Sequence, residues 1–241
     1  MTRFVTKSNA NVLVKLSGRI VDFKCTRARA SFVFNEADRT KMGAVAIAAG
    51  LAGMGGQAMS TAANAGDLEE EGDYLEFTLD GKALSGWVWR SPFKEGDEVE
   101  IAAETDGDRH EIFGVARPSD RTIALYPHCS RGRTRHFINA AKWWLILSGS
   151  GVLFVSFMMR DSLVQAISER GVQWEVFSFF AFFGAMVFSL SHKWFPFVRV
   201  AENVLRTLGW PNPGSIDLVT RTRARRSKDD PVEYGRFYFY Y

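Results

Sequence analysis

The sequence predicts an α+β membrane protein: a small antiparallel β-barrel followed by a two-helix transmembrane hairpin. Two observations carry that prediction. Two runs without a charged residue, Trp143–Met159 and Val176–Ser191, lie in the second half of an otherwise polar chain, with a short charged segment between them. Ahead of them, short stretches of alternating apolar and polar residues recur between residues 11 and 126, separated by turn signals.

The β region comes first. NVLVKLSGRIVDFKC (11–25) alternates across Val12, Val14 and Leu16, with Gly18 placed for a bulge or bend. ASFVFN (30–35) follows. Further strands are expected in DYLEFTLDGKALSGWVWR (73–90), KEGDEVEIAAET (94–105), RHEIFGVARP (109–118) and RTIALYP (121–127). Asp80-Gly81 and Asp106-Gly107 are hairpin signals because both residues of each pair tolerate positive φ. A long bent first strand, then hairpins and a Gly-Asp-x-Val strand, favours an OB-like barrel over a sandwich. This domain spans residues 1–130.

An Ala/Gly-rich segment, MGAVAIAAGLAGMGGQAMSTAANAG (42–66), interrupts the strands. Ala44, Ala48, Ala52, Gly56 and Ser60 form a small-residue row that suits close helix packing. Its glycines weaken a helix. A third span here would put the first strands and the rest of the barrel on opposite sides of a bilayer. The reading adopted is a helical insertion, residues 36–66, docked on the barrel or the membrane surface. A third span, a self-association face and a pore lining are the alternatives.

Next comes the hairpin, 140–195. A bilayer core requires roughly 20 mostly apolar residues per helix, and each run reaches that length if Lys142 or Lys193 snorkels toward the headgroups. Trp143 and Trp144, Phe154, Phe179, Phe183 and Gly184 are the expected membrane-spanning residues. Trp143, Trp144, Trp174 and Trp194 match interfacial aromatic belts. Ser148, Gly149 and Gly151 are expected to face Ala181, Gly184 and Ala185. Neither span holds an ionisable residue, which argues against ion-coupled transport.

Basic residues orient the hairpin. Arg131, Arg133, Arg135 and Lys142 precede the first run, whereas Lys193, Arg199, Arg206 and the stretch RTRARRSK (221–228) follow the second. In the connecting loop, 160–175, Arg160 and Arg170 are offset by Asp161, Glu169 and Glu175. Both termini are therefore expected in the cytoplasm. Residues 1–20 contain no apolar signal-peptide core, so the barrel is expected to stay where it is made. Cys25 and Cys129 are then unpaired thiols in a reducing compartment.

The remainder, 196–241, is read as cytoplasmic. FVRVAENVLRTLGW (197–210) is an amphipathic helix with Val200, Val204 and Leu208 on one side, ended by Pro211 and Pro213. The basic run suits anionic headgroups. The terminal YGRFYFYY (234–241) suits an added strand at the barrel edge.

Chemistry is not signalled. The histidines His110, His128, His136 and His192 have no metal-ligand spacing, and no nucleophile elbow, P-loop or His-Glu-x-x-His occurs. No enzyme, cofactor or metal is expected. Trp87, Trp89, Phe93, Arg117 and Arg121 form the candidate interaction surface. Nucleic acid is not its expected partner, because the acid-rich stretch 94–111 repels a polyanion.

WVWRSPFKEGDEVE (87–100), VARPSDRTIALYPHCSRGR (115–133) and AENVLRTLGWPNP (201–213), with the Ala/Gly insertion and the late apolar pair, resemble bacterial membrane proteins grouped as type VI secretion system effectors. The resemblance covers most of the chain and implies a role in competition between bacteria. It brings no catalytic residues. With positive-inside topology it implies a multi-pass protein of the bacterial inner membrane. Such a protein is a non-enzymatic anchored binding module: an immunity, adaptor or anchoring partner. Its expected partners are membrane lipid, a secretion-system component or cognate effector, and further copies of itself. The alternative is an effector that inserts its hairpin into a target membrane and permeabilises it.

Overall fold

A computed structural model describes residues 13–30, 32, 70–158 and 171–241. The Ala/Gly-rich insertion, the strand expected at 30–35 apart from Phe32, and most of the loop at 160–175 lie outside the described residues.

Two compact units emerge. The first gathers residues up to Ser130 with Asn203–Pro211 and Leu218–Tyr241; the second comprises Arg131–Glu202 and Asn212–Asp217.

The first unit is built on seven strands. β1 (Val14–Ala30), β2 (Glu70–Leu79), β3 (Lys82–Val88), β4 (Glu98–Asp106) and β5 (Arg109–Arg117) close a barrel. Neighbours around it run β1-β2-β3-β5-β4 and back to β1, all antiparallel except the β3–β5 pair. β6 (Thr122–Leu125) and β7 (Tyr238–Tyr240) extend the sheet beyond β5. Chain-terminal aromatics thus form the edge strand that their alternation suggests.

β1 serves two partners. Its first half pairs with β4 (Val14↔Ala103 to Arg19↔Glu98), its second with β2 (Ile20↔Leu79 to Ala30↔Glu70). The register breaks between Val21 and Lys24, where Asp22 has φ +57°. Gly18 is not the bend. At the break, two amides leave the ladder, and an unpaired amide costs free energy unless something accepts it. Glu95 accepts both, from the Asp22 amide at 3.1 Å and the Phe23 amide at 2.7 Å.

Asp80-Gly81 turns β2 into β3 with φ +49° and +78°, the two positive values that a type I′ hairpin requires. Closure depends on a different glycine. A Cβ on Gly86 would sit 2.5 Å from the Ile112 carbonyl oxygen, so only glycine lets β3 approach β5. Leu75, Phe77, Leu79, Leu84, Ile101, Ile112 and Val115 fill the interior. Along β2 they alternate with the half-exposed Glu76 and Thr78, as a pleated strand with one buried face demands.

The second unit is a helical pair. α1 spans Arg133–Met158, and α2 runs unbroken through Gly171–Thr207 with Pro196 inside it. The amphipathic segment expected at 197–210 is therefore the end of α2 rather than a separate helix. Its last residues belong to the first unit, where Val204 is fully buried and a Cβ on Gly114 would meet it at 2.6 Å. α3 (Leu218–Arg225) follows a 3-10 turn at Pro213–Ser215.

A buried carboxylate anchors the start of α1. Glu202, 4% exposed, accepts the Arg133 amide at 2.7 Å and pairs with the Arg133 guanidinium at 3.0 Å. It thereby satisfies an amide that the first helical turn leaves without a partner. A Cβ on Gly132 would stand 2.1 Å from the Pro213 carbonyl oxygen, so the approach to α1 also requires glycine.

Candidate functional site

The helical pair presents the most unusual surface. Within the apolar window of α1 only 6% of residues are buried, and within that of α2 none are. A core helix of a soluble protein would be mostly buried. Phe137, Trp143, Leu153, Phe154 and Phe157 point away on α1, as do Trp174, Phe177, Phe182 and Phe188 on α2. The apolar stretches, Arg133–Phe154 and Val176–Thr207, are 22 and 32 residues long. At 1.5 Å per residue the shorter covers about 33 Å, the thickness of a bilayer's hydrocarbon core. Both helices are long and apolar enough to cross a membrane.

Between the helices the contacts are specific. At Gly151 and Gly184 the neighbours across the pair are aromatic rings. A Cβ on Gly151 would touch Phe179 at 3.0 Å and Phe183 at 3.2 Å. Gly184 lies under the Trp144 indole, whose Nε1 donates to the Phe180 carbonyl at 3.0 Å. In an α-helix that carbonyl also receives the amide of residue 184. The missing Cβ at Gly184 is what gives the indole access to it. Trp144 thus turns inward, where its N–H finds an acceptor, while Trp143 is 52% exposed. Gly149 has nothing within 4 Å of where its Cβ would be. His136 Nε2 and Ser191 Oγ, 2.7 Å apart, add a further polar contact between the helices.

The barrel's candidate surface is more heavily engaged than its composition suggests. Trp87 sits edge-on to Phe32 at 5.5 Å and lies 5.1 Å from Tyr74. Trp89 packs on His128 at 4.7 Å and Phe237 at 5.6 Å. Phe93 belongs to the core cluster, so it presents no face for stacking. Arg90 is tied to Glu71 at 3.1 Å and to buried Asp73 at 3.4 Å. Asp73 also accepts from Arg27 and from the Ser91 amide.

Arg117 is a strut. It donates to Asp97 and to Asp120 at 2.6 Å each, reaches the Pro92 carbonyl at 3.1 Å, and lies over the Phe93 ring at 5.6 Å. Hydrogen bonding to Asp120 is the largest influence on its guanidinium and outweighs desolvation, so its pKa is raised. Burial alone would raise that of Asp120, but hydrogen bonds from Arg117 and Thr122 prevail and lower it. Arg121 is exposed at φ +57°, and its carbonyl accepts the Tyr241 amide at 3.0 Å. The Arg117 guanidinium is thus spent on holding a strand end and turns, whereas Arg121 contributes its backbone carbonyl.

Three residues that organise these regions escaped sequence reasoning: Glu95, Glu202 and Asp73. Each is a carboxylate in a polar context, and each finds its partners far along the chain. Cys25 is exposed and Cys129 buried, and the two are not joined in a disulfide. Among the described residues, no three His, Cys, Asp or Glu side chains gather as a metal site. No protein-family model matches this chain, and neither does any curated protein or solved structure.

Proposed function

We propose that this chain is a non-enzymatic binding module of the bacterial inner membrane, held there by the α1–α2 hairpin and working within type VI secretion and interbacterial competition. One observation supports the anchor above all others: both long helices turn aromatic and aliphatic side chains outward, α1 between Phe137 and Phe157 and α2 between Trp174 and Leu190. Leaving that surface in water opposes the hydrophobic effect, and placing it in lipid removes the conflict. The basic flanks put both termini in the cytoplasm. The secretion-system role rests on the sequence resemblance.

The barrel is OB-like in this reading, supported by its β1-β2-β3-β5-β4 closure and the parallel β3–β5 pair. Its partner is another protein, since its best-placed cations are already occupied by carboxylates. Residence in the producer's own membrane fits the uncharged helices better than pore formation, because no ionisable group is available within the apolar runs to line a conducting path.

The test is expression in a bacterium lacking any type VI system, once unmodified and once directed to the periplasm, with membrane potential followed by a voltage-sensitive dye. Stable accumulation in the membrane without depolarisation is expected in both cases. Rapid depolarisation from the periplasmic side would overturn residence and leave the permeabilising effector.

A further inference from the structure

The basic stretch 221–228 looks uniform in sequence, but the fold divides it. Arg225 lies over the Tyr240 ring at 4.7 Å and donates to the Tyr241 carbonyl at 3.4 Å. Arg223, Arg226 and Lys228 go elsewhere. With Arg236, from the segment that leads into β7, they line a cavity of about 510 Å³ whose remaining wall includes Tyr234 and Val232.

These four cations differ from three arginines that brace the barrel. Arg27, Arg90 and Arg117 each meet a carboxylate. Among the described residues, the side chains of Arg223, Arg226, Lys228 and Arg236 form no ion pair or hydrogen bond. The nearby Asp230 carboxylate is occupied by the Ser227 amide at 2.8 Å and the Tyr240 hydroxyl at 3.0 Å. Helix-dipole complementarity accounts for Arg223, in the last turn of α3. It does not account for Lys228 or Arg236, which lie off the helix. Like charges around one cavity repel, and an anion reverses the sign of that contribution.

The wall behind them is held in place. Tyr234 is buried, its hydroxyl is 2.8 Å from Thr122 Oγ1, and its ring stacks on Tyr240 with centroids 4.1 Å apart. Gly235, at φ +82°, donates its amide to the Tyr238 carbonyl at 2.8 Å, which turns the chain so that Arg236 joins the cavity. Guanidinium forks match phosphate oxygens in geometry as well as charge. Val219 and Val232, also in the lining, suit the carbon skeleton of an ester better than a bare ion.

We propose that this cavity binds the phosphate group of an organic phosphate ester. A phospholipid headgroup and a soluble phosphate ester share that chemistry. The inference does not depend on membrane insertion, because every residue in it belongs to the barrel unit.

The experiment titrates glycerol phosphate into the full chain in nanodiscs of phosphatidylcholine alone, by calorimetry, and repeats it with phosphatidylglycerol added to the discs. If the chain purifies without membrane, the same titration is run in buffer and the phosphatidylglycerol is supplied as vesicles. Saturable binding is expected. It should weaken by about tenfold or more in the Arg226→Gln/Arg236→Gln double variant, as expected for lost charge-assisted hydrogen bonds. Arg221→Gln, in the same basic stretch but outside the lining, should bind as the parent does. Both variants are checked for an unchanged unfolding midpoint. Competition by phosphatidylglycerol identifies a lipid headgroup as the source; indifference to it identifies a soluble ester. Equal weakening by Arg221→Gln would overturn the proposal. So would the absence of saturable glycerol phosphate binding together with phosphatidylglycerol retention that does not depend on Arg226 and Arg236.

Discussion

The barrel and the hairpin answer the same physical demand in opposite ways. Leu75, Ile101, Ile112 and Val115 are withdrawn completely from solvent, and the barrel's shape follows from enclosing them. In the hairpin, Leu153, Phe154, Phe182 and Phe188 point outward, while rings such as Phe179 and Trp144 meet the partner helix. An inward apolar side chain marks a protein stabilised against water. Outward apolar side chains over two helices, each long and apolar enough to cross a membrane, are the observation on which the proposed lipid surroundings rest. Polar groups differ too: the barrel ties Arg117 and Asp73 into carboxylate–guanidinium networks, while along the hairpin the Trp144 indole meets a backbone carbonyl and His136 meets Ser191, with the Arg133–Glu202 pair at the start of α1.

The largest expected effect comes from leucines of opposite aspect. Leu75→Ala should destabilise the barrel by about 2–5 kcal/mol, the usual cost of a fully buried leucine. Leu153→Ala, at a site 72% exposed, should change unfolding in detergent by less than about 0.5 kcal/mol. Chemical denaturation followed by near-ultraviolet circular dichroism measures both. Similar losses at the two positions would mean that the outer face of α1 is covered by protein.

Gly184→Leu should weaken the hairpin by about 1–3 kcal/mol, because the new side chain fills the space that the Trp144 indole occupies. Loss of helical signal at lower temperature, with the barrel's unfolding midpoint unchanged, is the expected outcome. A parallel loss in the barrel would contradict two separately packed units.

How much of this was legible in the sequence depends on the range of the interaction. The Asp80-Gly81 turn needs only two adjacent residues at positive φ, and alternation along 73–79 needs only a strand's own period. The apolar runs are likewise local. Glu95 was not legible as the partner of the Asp22 and Phe23 amides, because nothing near residue 95 records a break in a strand more than 70 positions earlier. The same holds for Glu202 at the start of α1. Gly86 looks like any strand glycine until β5 lies beside it. In the hairpin the composition was plain but the pairing was not: Gly151 and Gly184 meet rings, a choice set by which face of each helix turns inward. Of the interaction surface, Trp87 and Trp89 were recognisable as aromatics on a barrel strand, whereas the engagement of Arg117 follows from where Asp97 ends up.

The smallest expected effect concerns acid. The folded pKa of Asp120 is depressed below its ordinary value of 3.8, so its charge stabilises the barrel above that value. The contribution fades as pH falls through the lower, folded value. Asp120→Asn should therefore lower the unfolding midpoint near neutral pH and leave less further to lose in acid. An unchanged acid limb in the variant would show that other carboxylates govern it. The hairpin's helical signal should be insensitive to this substitution at every pH.

The central proposal is that α1 and α2 cross a membrane with the barrel on the side of the basic flanks. Labelling with a membrane-impermeant thiol reagent tests it most directly, because the barrel already carries an exposed cysteine, Cys25, while Cys129 is buried. In intact spheroplasts, Cys25 should be protected until the membrane is opened. A cysteine introduced into the connecting loop, Ser162→Cys, should be labelled at once in a Cys25→Ser background. Labelling of Cys25 in intact spheroplasts, equal protection of both sites, or recovery of the chain in the soluble fraction would contradict the account.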